Sequence, residues 1–161
     1  ELFKMTKPLE VGDAAPKFRA IAVGGRYGEG TPVSLADFKG RTVVLYFYPK
    51  DDTPGCTTQA CALRDAWADF TGKAEVFGVS TDSAASHAKF IAKFELPFPL
   101  LVDAEKKLVN DFGVWVQKSM YGKKYMGTER TTFVIGADGK IAAILRKVKP
   151  AEHAAQLLAA I

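Results

Sequence analysis

Cys56 and Cys61 are the only two cysteines of the chain, and they stand in the run Tyr48-Pro-Lys-Asp-Asp-Thr-Pro-Gly-Cys-Thr-Thr-Gln-Ala-Cys61. The run follows an apolar, strand-like stretch and opens a helical pattern, which puts Cys56 at a helix N-terminus. Open amides and the helix dipole favour an anion at such a place, and a thiol there ionises more readily to the nucleophilic thiolate. The neighbouring residue types suit that sulfur. Thr53 can bring a hydroxyl beside it, Pro49 can screen one side from water, and Thr57 and Thr58 belong to a first helical turn with open amides. A thiolate so placed is oxidised by a peroxide to sulfenic acid, with which Cys61 can condense.

Other cysteine chemistries fit less well. Structural zinc needs about four ligands, and beyond the pair there are only His87, His153 and scattered acids. No metal and no organic cofactor are expected. Exchange dithiols of the thioredoxin type have two intervening residues, whereas four separate Cys56 from Cys61. An inert core thiol is the alternative for Cys61, between Ala60 and Ala62. Five residues of α-helix give about 7.5 Å of rise and about 140° of rotation, hence Cα atoms roughly 8–9 Å apart. A disulfide spans about 7 Å at most. A bond between the two therefore requires the start of the helix to unwind, and two conformations are predicted.

The remaining candidates read as structural. His87 and His153 fall in polar stretches of predicted helices and are expected on the surface, Asp51 and Asp52 are expected to solvate a loop, and Trp67 and Trp115 to line the core or a pocket rim. The glycines at 24, 25, 28 and 30 match neither a Walker loop nor a dinucleotide fingerprint.

The elements that must position the cysteines follow from periodicity. Residues 16–38 read as a hairpin, Phe18 to Val23 and Pro32 to Leu35 about a glycine-rich turn. Thr42 to Tyr48 is a β-branched and aromatic run fit for a strand buried on both faces, stopped by Pro49. A helix is predicted over about Cys56 to Phe70, with Ala60, Leu63, Trp67 and Phe70 facing the core. Then come a strand at Glu75–Ser80, a helix at Ser83–Phe94, a short strand at Leu100–Val102 and a helix from about Glu105 to Phe112. A hairpin, Thr131–Ile135 with Lys140–Leu145, turns at Gly136-Ala-Asp-Gly139, and Pro150 starts a helix ending at Ile161. The order implies an α/β, thioredoxin-like fold, a central mixed β-sheet flanked by helices with an N-terminal β-hairpin.

Length and composition agree with one domain over residues 1–161, since 48% of the residues are apolar. Residues 1–8 are expected to be a tail, Glu1 to Lys4 having been added ahead of a native Met5. The net charge of +4 is dispersed among acids, which argues against nucleic acid as a partner. No apolar run reaches the roughly 18 residues of a membrane span, and no signal peptide is visible, so a cytoplasmic location is expected.

At these residues the chain resembles the peroxiredoxins, and most closely the peroxiredoxin Q or bacterioferritin comigratory protein subfamily. The motif is Pro49-x-x-x-Thr53-x-x-Cys56 within Phe47-Tyr-Pro-Lys-Asp-Asp-Thr-Pro-Gly-Cys-Thr-Thr, with Cys61 where that subfamily's commonest form has its second cysteine. The likeness continues through Ser80-Thr-Asp-Ser83, Ser86-His-Ala-Lys-Phe90, Leu96-Pro-Phe98, Phe112-Gly-Val-Trp115 and Arg130-Thr-Thr-Phe133. It implies that Cys56 is the peroxidatic and Cys61 the resolving cysteine. It also implies that Thr53 and Arg130 bind peroxide and activate the thiolate, that Pro49 shields the site, and that thioredoxin or a similar dithiol recycles a monomeric enzyme. Gly136 and Val102 depart from the acid and the serine often found at those places, outside the motif. A peroxide-sensing switch without turnover and a thiol-disulfide oxidoreductase are the alternatives. Sustained peroxide consumption would count against the first, and absence of insulin reduction without peroxide against the second.

Overall fold

A computed structural model describes residues 7–161, so the expected tail lies outside the described residues as far as residue 6. The N-terminal hairpin is present as β1 (Arg19–Val23) and β2 (Thr31–Ser34). After it come β3 (Val43–Phe47), α1 (Pro54–Asp65), α2 (Trp67–Phe70), β4 (Glu75–Ser80), α3 (Ala84–Phe94) and β5 (Leu100–Val102). The remainder is α4 (Lys107–Asp111), β6 (Trp115–Met120), β7 (Lys123–Thr128), β8 (Thr132–Ile135), β9 (Ile141–Leu145) and α5 (His153–Ala160).

Seven strands form one sheet in the order β2-β1-β5-β4-β3-β8-β9. The two strand–helix–strand units make β3, β4 and β5 parallel, as a helical crossover requires. The two hairpins add antiparallel strands at both edges, β8 against β3 and β1 against β5. Every residue of β3 is buried, and its pleat splits them between two cores. Val43, Leu45 and Phe47 join Phe77, Val79, Phe133 and α4 residues Leu108 and Val109. Val44, Tyr46 and Tyr48 join Ala60 and Leu63 of α1, Phe90 of α3 and Leu157 of α5. Gly78 makes room for this second layer, because a Cβ there would lie 2.9 Å from the Tyr46 ring and 2.6 Å from Leu100. The cysteine helix thus belongs to the layer that packs against this face of β3.

Several element boundaries differ from expectation. The helix over 56–70 is broken at Ala66 into α1 and α2, and the last helix begins at His153, with residues 150–152 forming a turn. The helix expected from Glu105 to Phe112 shortens to α4. Its first amides are taken by the buried Asp103 carboxylate, through Leu108 at 3.0 Å and Val109 at 2.9 Å. The β6–β7 hairpin has no counterpart among the elements expected from periodicity. Its lysine-rich, largely exposed strands show little apolar alternation, and its only sharp signal is the two-residue turn at Tyr121 and Gly122, both with positive φ. No helix among the described residues is long and apolar enough to cross a membrane.

Candidate active site

Thr53, in extended conformation, precedes α1, and Pro54 takes the first helical position, where its missing N–H costs nothing. The first helical bond runs from the Thr57 amide to the Thr53 carbonyl at 2.8 Å. The amides ahead of that bond, at Gly55 and Cys56, are the ones that the helix leaves open. The Thr57 amide, expected to be open, is not. Cys56 therefore sits in the first turn, at the positive end of the helix dipole, and is only 2% exposed. Cys61 is on the same continuous helix and half-buried, and both thiols are free.

Arg130 arrives between β7 and β8, its carbonyl held by the Val148 amide at 3.0 Å. Its Nη1 donates to Cys56 Sγ at 3.4 Å and to Gln59 Oε1 at 2.7 Å. Gln59 is fully buried, one helical turn after Cys56 on the same face. The Thr53 hydroxyl donates to the Lys50 carbonyl at 2.8 Å, which leaves its oxygen lone pairs as acceptors. Pro49 is half-buried at the end of β3. Fold and packing thus bring Cys56 and Arg130 into contact, with Thr53 at the helix entry and Cys61 farther along the helix.

Further side chains shape the electrostatics. Burial pushes the Tyr46 phenol well above its ordinary value, with Cys56 and Asp51 adding to the effect and Arg130 opposing it. Burial, and then the charge of Arg130, bring the His153 imidazole down to about 4. His153 is fully buried with Nε2 2.7 Å from the Thr132 hydroxyl, and its ring lies 5.5 Å from that of Tyr46. Burial and the like charge of Arg130 lower the Lys118 ammonium, while Cys56 and Glu129 pull it up. Among the described residues no three His, Cys, Asp or Glu side chains converge as a metal would require.

Three expectations are corrected here. His87 and His153 are buried, not on the surface, because α3 and α5 turn those positions toward the sheet. Asp51 is also buried and bonded to His87, whereas Asp52 is exposed and pairs with Lys93 at 2.8 Å. Gln59, Tyr46 and Lys118 were not singled out from the sequence. The i, i+3 spacing from Cys56 marks Gln59 in retrospect, and strand alternation marks Tyr46. Lys118 carries no local signal.

The AhpC/TSA family profile matches residues 11–144. Peroxiredoxin Bcp of Bacillus subtilis is 48% identical over 151 residues, covering 93% of each chain. The chain belongs to the peroxiredoxins. Peroxiredoxin Bcp of Escherichia coli K12 is 45% identical over 148 residues, 91% of each chain. Among solved structures, peroxiredoxin Q of Xanthomonas campestris superposes with a TM-score of 0.82 at 40% identity, covering 94% of each chain. A mutant PrxQ of Xylella fastidiosa gives 0.86 at 34% identity and 96% coverage of each. This peroxiredoxin is of the Bcp and peroxiredoxin Q type, with a thioredoxin fold and a thiol-dependent peroxidase activity.

Proposed function

We propose that the chain works as a single peroxiredoxin domain in which Cys56 is the peroxidatic and Cys61 the resolving cysteine. The observation that carries this reading is the Arg130 guanidinium, 3.4 Å from the Cys56 sulfur at the first turn of α1. The Cys56 thiolate attacks one oxygen of a peroxide; the S–O bond forms as the O–O bond breaks. Water or an alcohol leaves after taking up a proton, and the sulfur is left as sulfenic acid. Arg130 and the open helix amides stabilise negative charge on sulfur and on the parting oxygens. Thr53 accepts a hydrogen bond from the peroxide O–H through its free lone pairs, and Pro49 keeps water from one side.

Cys61 then displaces hydroxide from the sulfenic sulfur, releasing water and forming an intramolecular disulfide. Helix geometry makes unwinding of α1 part of this step. An external dithiol, thioredoxin by resemblance, reduces the bond by thiol exchange. Hydrogen peroxide and organic hydroperoxides are the substrates, in keeping with the alkyl peroxide reduction activity of the bacterioferritin comigratory protein of Xanthomonas campestris. A resolving cysteine in the same chain needs no second subunit, which supports a monomer. Two cysteines in a chain of 161 residues make no disulfide framework, which supports a cytoplasmic location.

Peptide mass mapping after one equivalent of peroxide tests the reading, with a Cys56–Cys61 bond inside one chain expected. Cys56→Ser should abolish peroxidase activity. Cys61→Ser should keep one rapid oxidation, leave a sulfenic acid that dimedone traps, and lose recycling by thioredoxin. Normal turnover of Cys61→Ser would make that cysteine structural.

A further inference from the structure

Asp51 stands in the loop between β3 and α1 and is 7% exposed. Its carboxylate takes three hydrogen bonds. The Tyr48 hydroxyl donates to Oδ1 at 2.5 Å, the Ser86 hydroxyl donates to Oδ2 at 2.8 Å, and His87 Nδ1 lies 2.7 Å from Oδ2. The Asp51 amide donates to the Asp82 carboxylate at 2.8 Å, which also accepts from the Ser80 hydroxyl at 2.6 Å. His87 Nε2 lies 2.8 Å from the Leu101 carbonyl. His87 thus bridges the Asp51 carboxyl to the Leu101 carbonyl, with a hydrogen bond at each ring nitrogen. The two side chains are 0% and 3% exposed.

A buried hydrogen-bonded network adds only modestly to net stability, but removing one partner leaves a buried polar group unsatisfied, so the network enforces one geometry. Its place decides what that geometry serves. The partners of Asp51 lie at the end of β3, beyond β4 and on α3, while His87 is tied in turn to β5. All of these elements lie outside the Cys56 to Cys61 segment that a disulfide must reshape. Downstream of Asp51, the side-chain contacts of the loop and first turn of α1 are exposed or half-buried: Lys93 with Asp52, Thr53 with the Lys50 carbonyl, Thr58 with the Pro54 carbonyl, and Arg130 with Cys56 and Gln59.

We infer that Asp51 and His87 are positioning residues for the peroxidase reaction. They pin the upstream end of the cysteine loop to α3, so that unwinding of α1 stops there and Cys56 returns to Arg130 after each cycle. This rests on the roles given above to Cys56 and Cys61.

Asp51→Asn keeps the shape of the side chain, and Ser86→Ala removes one donor from a half-buried position and serves if the first variant does not fold. Stopped-flow fluorescence resolves the peroxide step from the disulfide step, and intact mass measures the sulfinic fraction at high peroxide. In Asp51→Asn the rate constant with peroxide should fall at least ~tenfold through misplacement of Cys56. Its disulfide step should quicken and its sulfinic fraction drop, with smaller changes in the same directions for Ser86→Ala. Loss of global stability alone would not produce opposite changes in the two steps. Folded variants with both rate constants within about twofold of wild type would overturn the inference. A wild-type protein that forms no Cys56–Cys61 bond would instead overturn the cysteine roles, while the peroxide step of the variants would still decide whether Asp51 positions Cys56.

Discussion

A guanidinium beside a sulfur is useful only while it stays there, and Gln59 is what holds it. The Gln59 carbonyl accepts from the same Nη1 that donates to Cys56. A hydrogen bond to a charged group is worth about 1.5–3 kcal/mol, so Gln59→Ala should slow the peroxide step by roughly tenfold or more. Rapid-mixing kinetics would check this, with far-ultraviolet circular dichroism to confirm that α1 persists. The cysteine pair and Thr53 are legible from local pattern, because helix entry and thiol spacing are local properties. Arg130 is legible only through family resemblance, and Gln59 only once Arg130 has been placed.

At the scale of the element, the proposed cycle makes two demands on α1: to hold Cys56 in its first turn and to release it for Cys61. Gly55 stands where these demands meet. A Cβ at that position would lie 3.1 Å from Arg130 Nη2, while alanine raises helix stability by about 1 kcal/mol relative to glycine. Gly55→Ala should therefore raise or preserve the melting temperature, slow the disulfide step through a stiffer first turn, and slow the peroxide step by displacing Arg130. Calorimetry together with rapid-mixing kinetics separates these effects. Unchanged rates would mean that the arginine gives way at no cost. The central strands and helices were legible because burial on two faces leaves continuous apolar runs and burial on one leaves a stripe. The β6–β7 hairpin was not, since it carries lysines along exposed strands and has no core of its own to leave a pattern.

For the molecule as a whole, the buried histidine on α5 links stability to pH. The folded-state value of His153, about 4, lies below the ordinary histidine value of about 6.5. The folded state thus holds the neutral ring, and its contribution is complete above about pH 6.5 and lost as pH falls toward 4. Over that window the loss is on the order of 3 kcal/mol. Urea unfolding of the reduced protein at pH 7 and pH 4.5 should show the fall, and His153→Gln should show less of it. An equal fall in the variant would assign the pH dependence to other groups. Such a ring could not be recognised from the polar run Lys149 to Gln156, because polarity of near neighbours says nothing about which face the rest of the fold covers.

Thiol chemistry, the condition that any Cys56–Cys61 bond needs the helix to unwind, and the alternation of strands with helices are determined by the sequence itself, since each rests on spacing within one segment and on the fixed geometry of a helix or strand. The candidate site is a matter of tertiary structure. Cys56 meets Arg130 across 74 positions, and Asp51 meets His87 across 36. Such contacts exist only after the sheet has ordered β3, β4, β5 and β8 side by side. The same packing decides burial, which turns His87, His153 and Asp51 from apparent surface residues into fixed parts of the interior around the cysteine helix.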